Sequence, residues 1–250
     1  MNRDLTQGPV TKSMLLFALP MILGNLLQQF YNVADTLIVG QFLGSTALAA
    51  VGSSYTLMTF LTSILLGMCM GSGAVFSIRF GEGDLPRLKN SLSLSFLLIG
   101  GFTVALNVAV FLLIDPMMAL LQVPADVIPL MRSYLWVIFW GIGGTFLYNY
   151  FASLLRAVGN SATPLVFLGV SAVLNIVLDL VFVVAVPWGV AGAAFATSFS
   201  QWVSGVGLLV YTWKRMAHLR PSRQDVYWKK DRVGEIARFS LLTCVQQSVM

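Results

Sequence analysis

The chain has 250 residues, of which 57% are hydrophobic and only 10% are charged, where a soluble protein has about 25% charged residues. So few charges cannot cover the surface of a soluble fold of this size, and the apolar content excludes a disordered chain. With two cysteines a disulfide scaffold is excluded too. An integral membrane protein is the class that remains.

Six apolar stretches are long enough to cross the roughly 30 Å hydrocarbon core of a bilayer as helices. Segments of about ten residues with alternating polarity, which a membrane β-barrel needs, are not found in the sequence. We therefore predict an all-α polytopic membrane protein, with a six-helix transmembrane bundle and the start of a seventh helix near Ile236. In chain order the predicted spans are Leu15–Val39, Ala47–Ile78, Ser91–Ile114, Val127–Leu155, Leu165–Val186 and Gly189–Trp213.

The basic residues predict the orientation of these spans. Of the 15 Lys and Arg residues, 14 fall on the side of the N-terminus and only Arg132 falls on the other. Because cytoplasmic loops carry the excess of Lys and Arg, we predict a multi-pass protein of the plasma (inner) membrane with a cytoplasmic N-terminus. The net charge of +5 follows from this sorting and gives no independent support to nucleic-acid binding.

Two acidic residues lie inside the predicted spans, Asp35 in the first and Asp179 in the fifth. An ionised carboxylate there costs several kcal/mol unless it is paired, protonated or hydrated, so its titration is predicted to be functional. Asn175 shares a helical face with Asp179, and Thr197 lies in the sixth span. At 1.5 Å per residue, Asp35, Asp179 and Thr197 lie about 6, 10 and 12 Å below the outer boundary. These four residues are predicted to bind Na⁺ or a shared proton.

The first span also carries a polar stripe and a proline. The stripe Asn25, Gln28, Asn32 and Asp35 recurs at helical spacing and therefore lies on one face. For Asn25 and Gln28 taken singly, interhelical hydrogen bonding is the favoured interpretation. Pro20 removes a backbone hydrogen bond, which predicts a bend in the same helix.

A short internal similarity predicts the domain organisation. The segment Phe17–Pro20 aligns with Phe239–Leu242, 222 residues later, each after a cytoplasmic basic stretch. Six spans per unit would give a second copy the same orientation, as in transporters with parallel repeats. We therefore expect a six-helix lobe at 1–213, a cytoplasmic inter-lobe linker at 214–235 and the start of a second lobe at 236–250.

Several motifs resemble the multidrug and toxic compound extrusion (MATE) family. The segment ALPMILGNLLQQFYNVADTLIVGQFLGSTALAAVG is similar to the first helix of that family and the opening of its second. SIRFGEGD and RAVGNSATP resemble its two cytoplasmic signatures, and NIVLD followed by GVAGAAFAT resembles its fifth and sixth helices.

The resemblance implies a twelve-helix transporter of two lobes, of which this chain covers the first lobe and the start of the second. It implies a cation-coupled antiporter that takes in H⁺ or Na⁺, exports cationic or amphipathic drugs or toxic metabolites by alternating access, and uses no other cofactor. The cation site would comprise Asp35, Asn175, Asp179 and Thr197, and helix bending would occur at Pro20. The neighbouring cavity residues would be Tyr134 and Asn149, joined by the stripe residues Gln28 and Asn32.

Two alternatives stay open at the level of sequence. A lipid-linked saccharide flippase of the same superfamily is disfavoured because the spans contain no internal Lys, with Arg132 and Arg156 at their boundaries. A non-transporting membrane scaffold is disfavoured by the paired carboxylates. An enzyme is not expected, because no metal-ligand cluster, nucleophile elbow or phosphate-binding glycine loop is found in the sequence.

Overall fold

A computed structural model describes residues 10–222, 225, 227–228 and 230–249. Within them the fold is all-helical, as predicted. Three of the basic residues counted in the orientation argument, Arg3, Arg223 and Lys229, lie outside the described residues. The α-helices are α1 (Val10–Leu43), α2 (Ser45–Gly81), α3 (Leu85–Leu120), α4 (Ile128–Ile138), α5 (Ile142–Ala157), α6 (Ala162–Asp179), α7 (Val190–Arg215) and α8 (Lys230–Val249).

Among the described residues, five helical stretches are long and apolar enough to cross a membrane. The first, Met14–Gly81, contains two helices, because α1 ends at Leu43 and α2 begins at Ser45. Gly44 between them has φ of +85°, a conformation that L side chains rarely adopt, so glycine permits the break. The bundle thus has six long helices or helix pairs before α8. The first three extend beyond the predicted spans by two to six residues at each end, and the last three agree with the predicted boundaries within three residues.

The fourth span is two helices, α4 and α5, joined by a 3₁₀ turn at Phe139–Gly141. Such a break leaves carbonyl groups without the regular α-helical donor, which is costly in a bilayer. Side chains of neighbouring helices supply the donors. Asn107 of α3 donates to the carbonyl of Phe139 at 2.7 Å, and Trp202 of α7 donates to that of Trp140 at 2.7 Å. The break between α4 and α5 is therefore stabilised by side chains of α3 and α7.

The fifth span changes its helical pitch immediately after Asp179. Residues Leu180–Ala185 form a π-helix, and the backbone N–H of Val186 donates to the carbonyl of Val181 at 2.7 Å, five residues back. The wide turn packs closely on α7, since a Cβ atom at Gly192 would lie 2.7 Å from the carbonyl oxygen of Phe182. Asp179 therefore sits at the junction of two helical geometries, a position frequent at functional sites.

Helix α8 packs directly on α2 through glycine. A Cβ atom at Gly67 would lie 2.5 Å from the Cα atom of Cys244, so the two backbones touch. Thr243 donates to the carbonyl of Gly67 at 2.7 Å, and Arg79 pairs with Glu235 at 2.6 Å at the end of the contact. Gly71, one helical turn after Gly67, approaches α8 as closely, since a Cβ atom there would lie 2.5 Å from the carbonyl oxygen of Phe239.

This contact gives a test of the fold. Gly67→Ala in the full-length protein should lower the melting temperature in detergent, because the added methyl group overlaps the α8 backbone and overpacking costs about 1–3 kcal/mol. Gly101→Ala on α3 is the matched control, since its Cβ atom would meet nothing within 4 Å. Equal melting temperatures for the two variants would contradict the packing described.

Candidate ion site and central cavity

A polar cavity of about 430 Å³ lies between α1, α2, the α4–α5 pair, α6 and α7. Seven of the nine predicted site residues line it: Pro20, Gln28, Asn32, Asp35, Tyr134, Asn149 and Thr197. The other two, Asn175 and Asp179, are buried on α6 next to this wall. The structure therefore brings the predicted residues of α1, α4, α6 and α7 to one region of the bundle.

The carboxyl groups of Asp35 and Asp179 are immediate neighbours, close enough to share a hydrogen bond. Asp179 is fully buried, whereas Asp35 opens to the cavity. Both oxygens of Asp179 and Oδ1 of Asp35 are buried without a hydrogen-bond partner. Buried Tyr134 lies near both groups. Two carboxyl groups thus lie next to each other, and neither forms an ion pair with a described basic residue.

Asn175 and Thr197 extend this arrangement. The Asn175 amide donates from Nδ2 to Oγ1 of Thr197 at 3.2 Å, which joins α6 to α7. The Oδ1 atom of Asn175 is buried and has no donor. With the carboxyl oxygens of Asp35 and Asp179, it makes four buried oxygen atoms without donors on two adjacent helices. Buried polar atoms are nearly always satisfied, and oxygen atoms of this kind are suited to accept from a proton donor or to bind a cation.

Small residues allow α1, α6 and α7 to pack closely around these side chains. Ala193, Ala194 and Ala196 on α7 are fully buried, and Gly192 lets the α6–π segment approach the α7 backbone. At the other end of α1, Ser161 donates to the carbonyl of Phe17 at 3.0 Å and ties α1 to the start of α6. The site is therefore held by backbone proximity and not by charge pairing.

The polar stripe of α1 faces the cavity along its length. Asn25 and Gln28 are exposed in its wall, and the Gln28 side chain is hydrogen-bonded to Tyr31 one turn away. The Asn32 amide donates to Gln29 at 3.4 Å within the same helix. Gln28 thus finds its partner within α1, and interhelical hydrogen bonding of Asn25 and Gln28 stays a prediction.

Pro20 lies within the continuous helix α1 and lines the cavity. The structure thus places the proline on the helix that carries Asp35 and in the same wall. The bend proposed at Pro20 stays a prediction.

The wall also contains polar residues that the sequence reasoning missed. Thr145 of α5 donates to Gln201 of α7, and Asn149 donates to the carbonyl of Thr145 at 2.9 Å. Gln201 follows Thr197 by one helical turn and Thr145 precedes Asn149 by one turn, so extending each predicted face by four residues would have found both. Asn149 belongs to this part of the wall, and its amide bonds within α5.

Arg156 also lines the cavity. It was placed at a cytoplasmic boundary by sequence, and it does lie in the last turn of α5, with its Nε atom buried and without a partner. Among the described residues that line the cavity it is the only cation, and Asp35 is the only acid. The wall is therefore polarised, with opposite charges on different helices.

The Asn175–Thr197 bond provides a test of the site's geometry. Thr197→Val keeps the side-chain shape but leaves the Asn175 amide without its acceptor, which should destabilise the full-length protein by about 1–2 kcal/mol in thermal unfolding. Thr103→Val is the control, because that buried hydroxyl donates only within its own helix, to the carbonyl of Ile99. A larger loss in the control than in Thr197→Val would contradict the assignment.

Comparison with known proteins shows what this arrangement is similar to. Residues 20–181 match the MatE family model. A probable multidrug resistance protein of Bacillus subtilis, YpnP, is 36% identical over 211 residues, covering 84% of this chain and 47% of that protein. The multidrug export protein MepA of Staphylococcus aureus is 29% identical over 237 residues, covering 94% of this chain and 52% of MepA. The chain spans about half the length of the curated relatives it matches.

The fold agrees with these matches. A MATE crystal structure in complex with MaD5 superposes with a TM-score of 0.91 at 25% identity, covering 98% of this chain and 56% of that one. An outward-facing multidrug resistance MATE transporter of the MOP superfamily gives a TM-score of 0.89 at 24% identity, covering 96% of this chain and 53% of the other. The chain belongs to the MATE family.

Proposed function

We propose that this chain forms the ion-binding lobe of a cation-coupled antiporter that exports small amphipathic or cationic molecules by alternating access. The observation that carries the proposal is the set of four buried oxygen atoms without donors on Asp35, Asn175 and Asp179. A proton or a Na⁺ ion would each give these oxygen atoms a partner. A proton on one carboxyl group donates to the other, and Na⁺ accepts oxygen ligands from all three side chains.

Ion binding is proposed to act on the cavity through α1. Asp35 lies in the cavity wall while Asp179 lies behind it on α6, so an ion held between them draws α1 towards α6. Pro20 precedes Asp35 by 15 residues in the same helix, about 22 Å along its axis. Proline has no backbone N–H, so the helical hydrogen bond that would stiffen this turn is missing. Occupancy at one end of α1 is thereby coupled to the shape of the cavity at the other.

The cavity wall supports the proposed substrate class. Four tyrosines line it, Tyr31, Tyr55, Tyr134 and Tyr148, together with the Asp35 carboxylate. Aromatic faces attract organic cations, and a carboxylate adds charge complementarity. A flippase for lipid-linked saccharides would be expected to place several cations in its cavity, and Arg156 is the only one among the described lining residues. Two of the relatives are named multidrug proteins, which fits the same proposal.

The proposal includes the surroundings of this lobe. A second six-helix lobe of the same protein would form the other wall of the cavity, and α8 would begin it. The protein would lie in the plasma membrane with the N-terminus in the cytoplasm, as the distribution of Lys and Arg predicts.

Removing either buried acid should uncouple transport. In the full-length protein, Asp35→Asn and Asp179→Asn should each lower ion-driven drug efflux from everted vesicles by at least about tenfold, because the amide cannot carry the exchangeable charge. Asp115→Asn is the control, since Asp115 is exposed and pairs with Arg132 away from the cavity. Imposing a Na⁺ or a pH gradient separately identifies the ion. Wild-type efflux in both cavity variants would refute the proposal.

The role of α1 can be tested at its proline. Pro20→Ala should slow efflux several-fold while leaving ion binding at Asp35 and Asp179 intact, because alanine restores the backbone hydrogen bond and stiffens the helix. Pro116→Ala on α3 is the control, because Pro116 is also inside a helix but is not part of the cavity wall. The same loss of efflux in both variants, or in neither, would remove Pro20 from the mechanism.

A further inference from the structure

A second, larger cavity of about 690 Å³ opens on the outer face of the bundle between α3, α5 and α7. It shares no lining residue with the central cavity. Its sides are apolar and include Phe96 and Leu97 of α3, Phe151 of α5, and Leu209 and Val210 of α7. Leu97 and Val210 are exposed, so this groove faces the hydrocarbon of the membrane and not the pathway of the proposed substrate.

One end of the groove is closed by the residues that follow α7. The chain turns back after Arg215, and residues 216–221, called here the hook, include a 3₁₀ turn at Ala217–Leu219. Met216 and Leu219 are only 3% and 2% exposed and belong to the same buried cluster as Tyr150. The hook is thus anchored in the core, which makes the closed end a built feature of the fold.

The hook brings two cations to the closed end of the groove. Arg220 donates from Nε to the carbonyl of Trp213 at 2.7 Å, and its guanidinium lies 5.2 Å from the centre of the Trp213 ring. Lys214 lines the same end. The Nε bond uses one of the five N–H groups of the guanidinium. The guanidinium group of Arg220 is thereby oriented, and its other N–H groups are available to an anionic ligand.

No acidic residue in the described part of the chain balances these cations within the groove. None lines it, and neither Lys214 nor Arg220 takes part in an ion pair between described residues. Asp225 is close in sequence, but its carboxylate accepts from the N–H and hydroxyl of Ser222 at 2.7 and 2.8 Å, which lowers the pKa of Asp225. The groove therefore joins an apolar channel to an uncompensated positive end.

We propose that this groove binds a phospholipid with an anionic head group. Its phosphate is held by Lys214 and Arg220, and one acyl chain lies between α3, α5 and α7. Charge complementarity identifies the occupant, because basic pockets at the ends of membrane helices attract anionic head groups while apolar sides of this kind accept only a hydrocarbon chain. Trp213 lies near the end of α7, and tryptophan is enriched where transmembrane helices reach the membrane interface. The site is independent of the proposed ion coupling.

The test uses full-length protein in neutral detergent, titrated with phosphatidylglycerol or phosphatidylcholine of identical acyl chains and observed by native mass spectrometry. Wild-type protein should retain phosphatidylglycerol preferentially. The double variant Lys214→Gln/Arg220→Gln should raise the Kd for phosphatidylglycerol by about tenfold or more, because it removes both positive charges that face the phosphate. The control, Arg215→Gln/Arg238→Gln, removes the same charge from exposed residues outside the groove and should change Kd less than about twofold.

A third variant tests the groove without changing charge. Val210→Trp fills the apolar channel and should also weaken phosphatidylglycerol binding while leaving Lys214 and Arg220 in place. Equal loss of lipid from the Arg215→Gln/Arg238→Gln control would show diffuse surface attraction and overturn the proposal. So would equal affinity for phosphatidylcholine, unchanged binding by Val210→Trp, or displacement of the lipid by millimolar inorganic phosphate. Drug efflux by each variant checks that it is folded.

Discussion

The contact between Asp35 and Asp179 is the constraint on which the arrangement of this lobe depends. Two carboxyl groups in a bilayer repel each other when both are ionised, and no basic side chain lies between them. They are held together because small residues on α7 and the tie between Ser161 and α1 bring the backbones close. Packing therefore imposes the electrostatic conflict, which the proposed ion or proton would relieve.

Two interruptions of helical geometry lie at close contacts with α7. The 3₁₀ turn of the fourth span and the π-helix of the fifth both face α7, whose side chains or backbone contact them. In water such breaks would be satisfied by solvent, but in a membrane neighbouring helices must supply each donor. A helix that meets these demands has little freedom to move alone. Movement of the lobe is thus expected to involve α1, the helix that contains Pro20.

Much of the site was predictable because depth and helical face can be read from sequence. Counting residues from the span ends predicts similar depths for Asp35, Asp179 and Thr197, and helical spacing puts Asn175 on the same face as Asp179. The structure brings the four residues together. Counting residues along the span did not show that Arg156 reaches the cavity. A position at the end of a span gives the depth of a residue in the membrane but not the direction of its side chain. The hook shows no helical or strand periodicity from which its conformation could be predicted. The π-helix lies in the sequence LVFVVA, which contains no Gly or Pro to indicate a change of helical geometry. These features arise from tertiary packing.

The π-helix after Asp179 has an evolutionary consequence. A wide turn contains one residue more than an α-helix needs to cover the same length, so it behaves as a single-residue insertion absorbed within the span. Deleting one residue from 180–185 would restore α-helical register and rotate Asp179 by about 100° relative to the outer end of the helix. Insertions and deletions, which are usually confined to loops, could thus turn a buried acid towards or away from the proposed ion site without changing the residues that precede it.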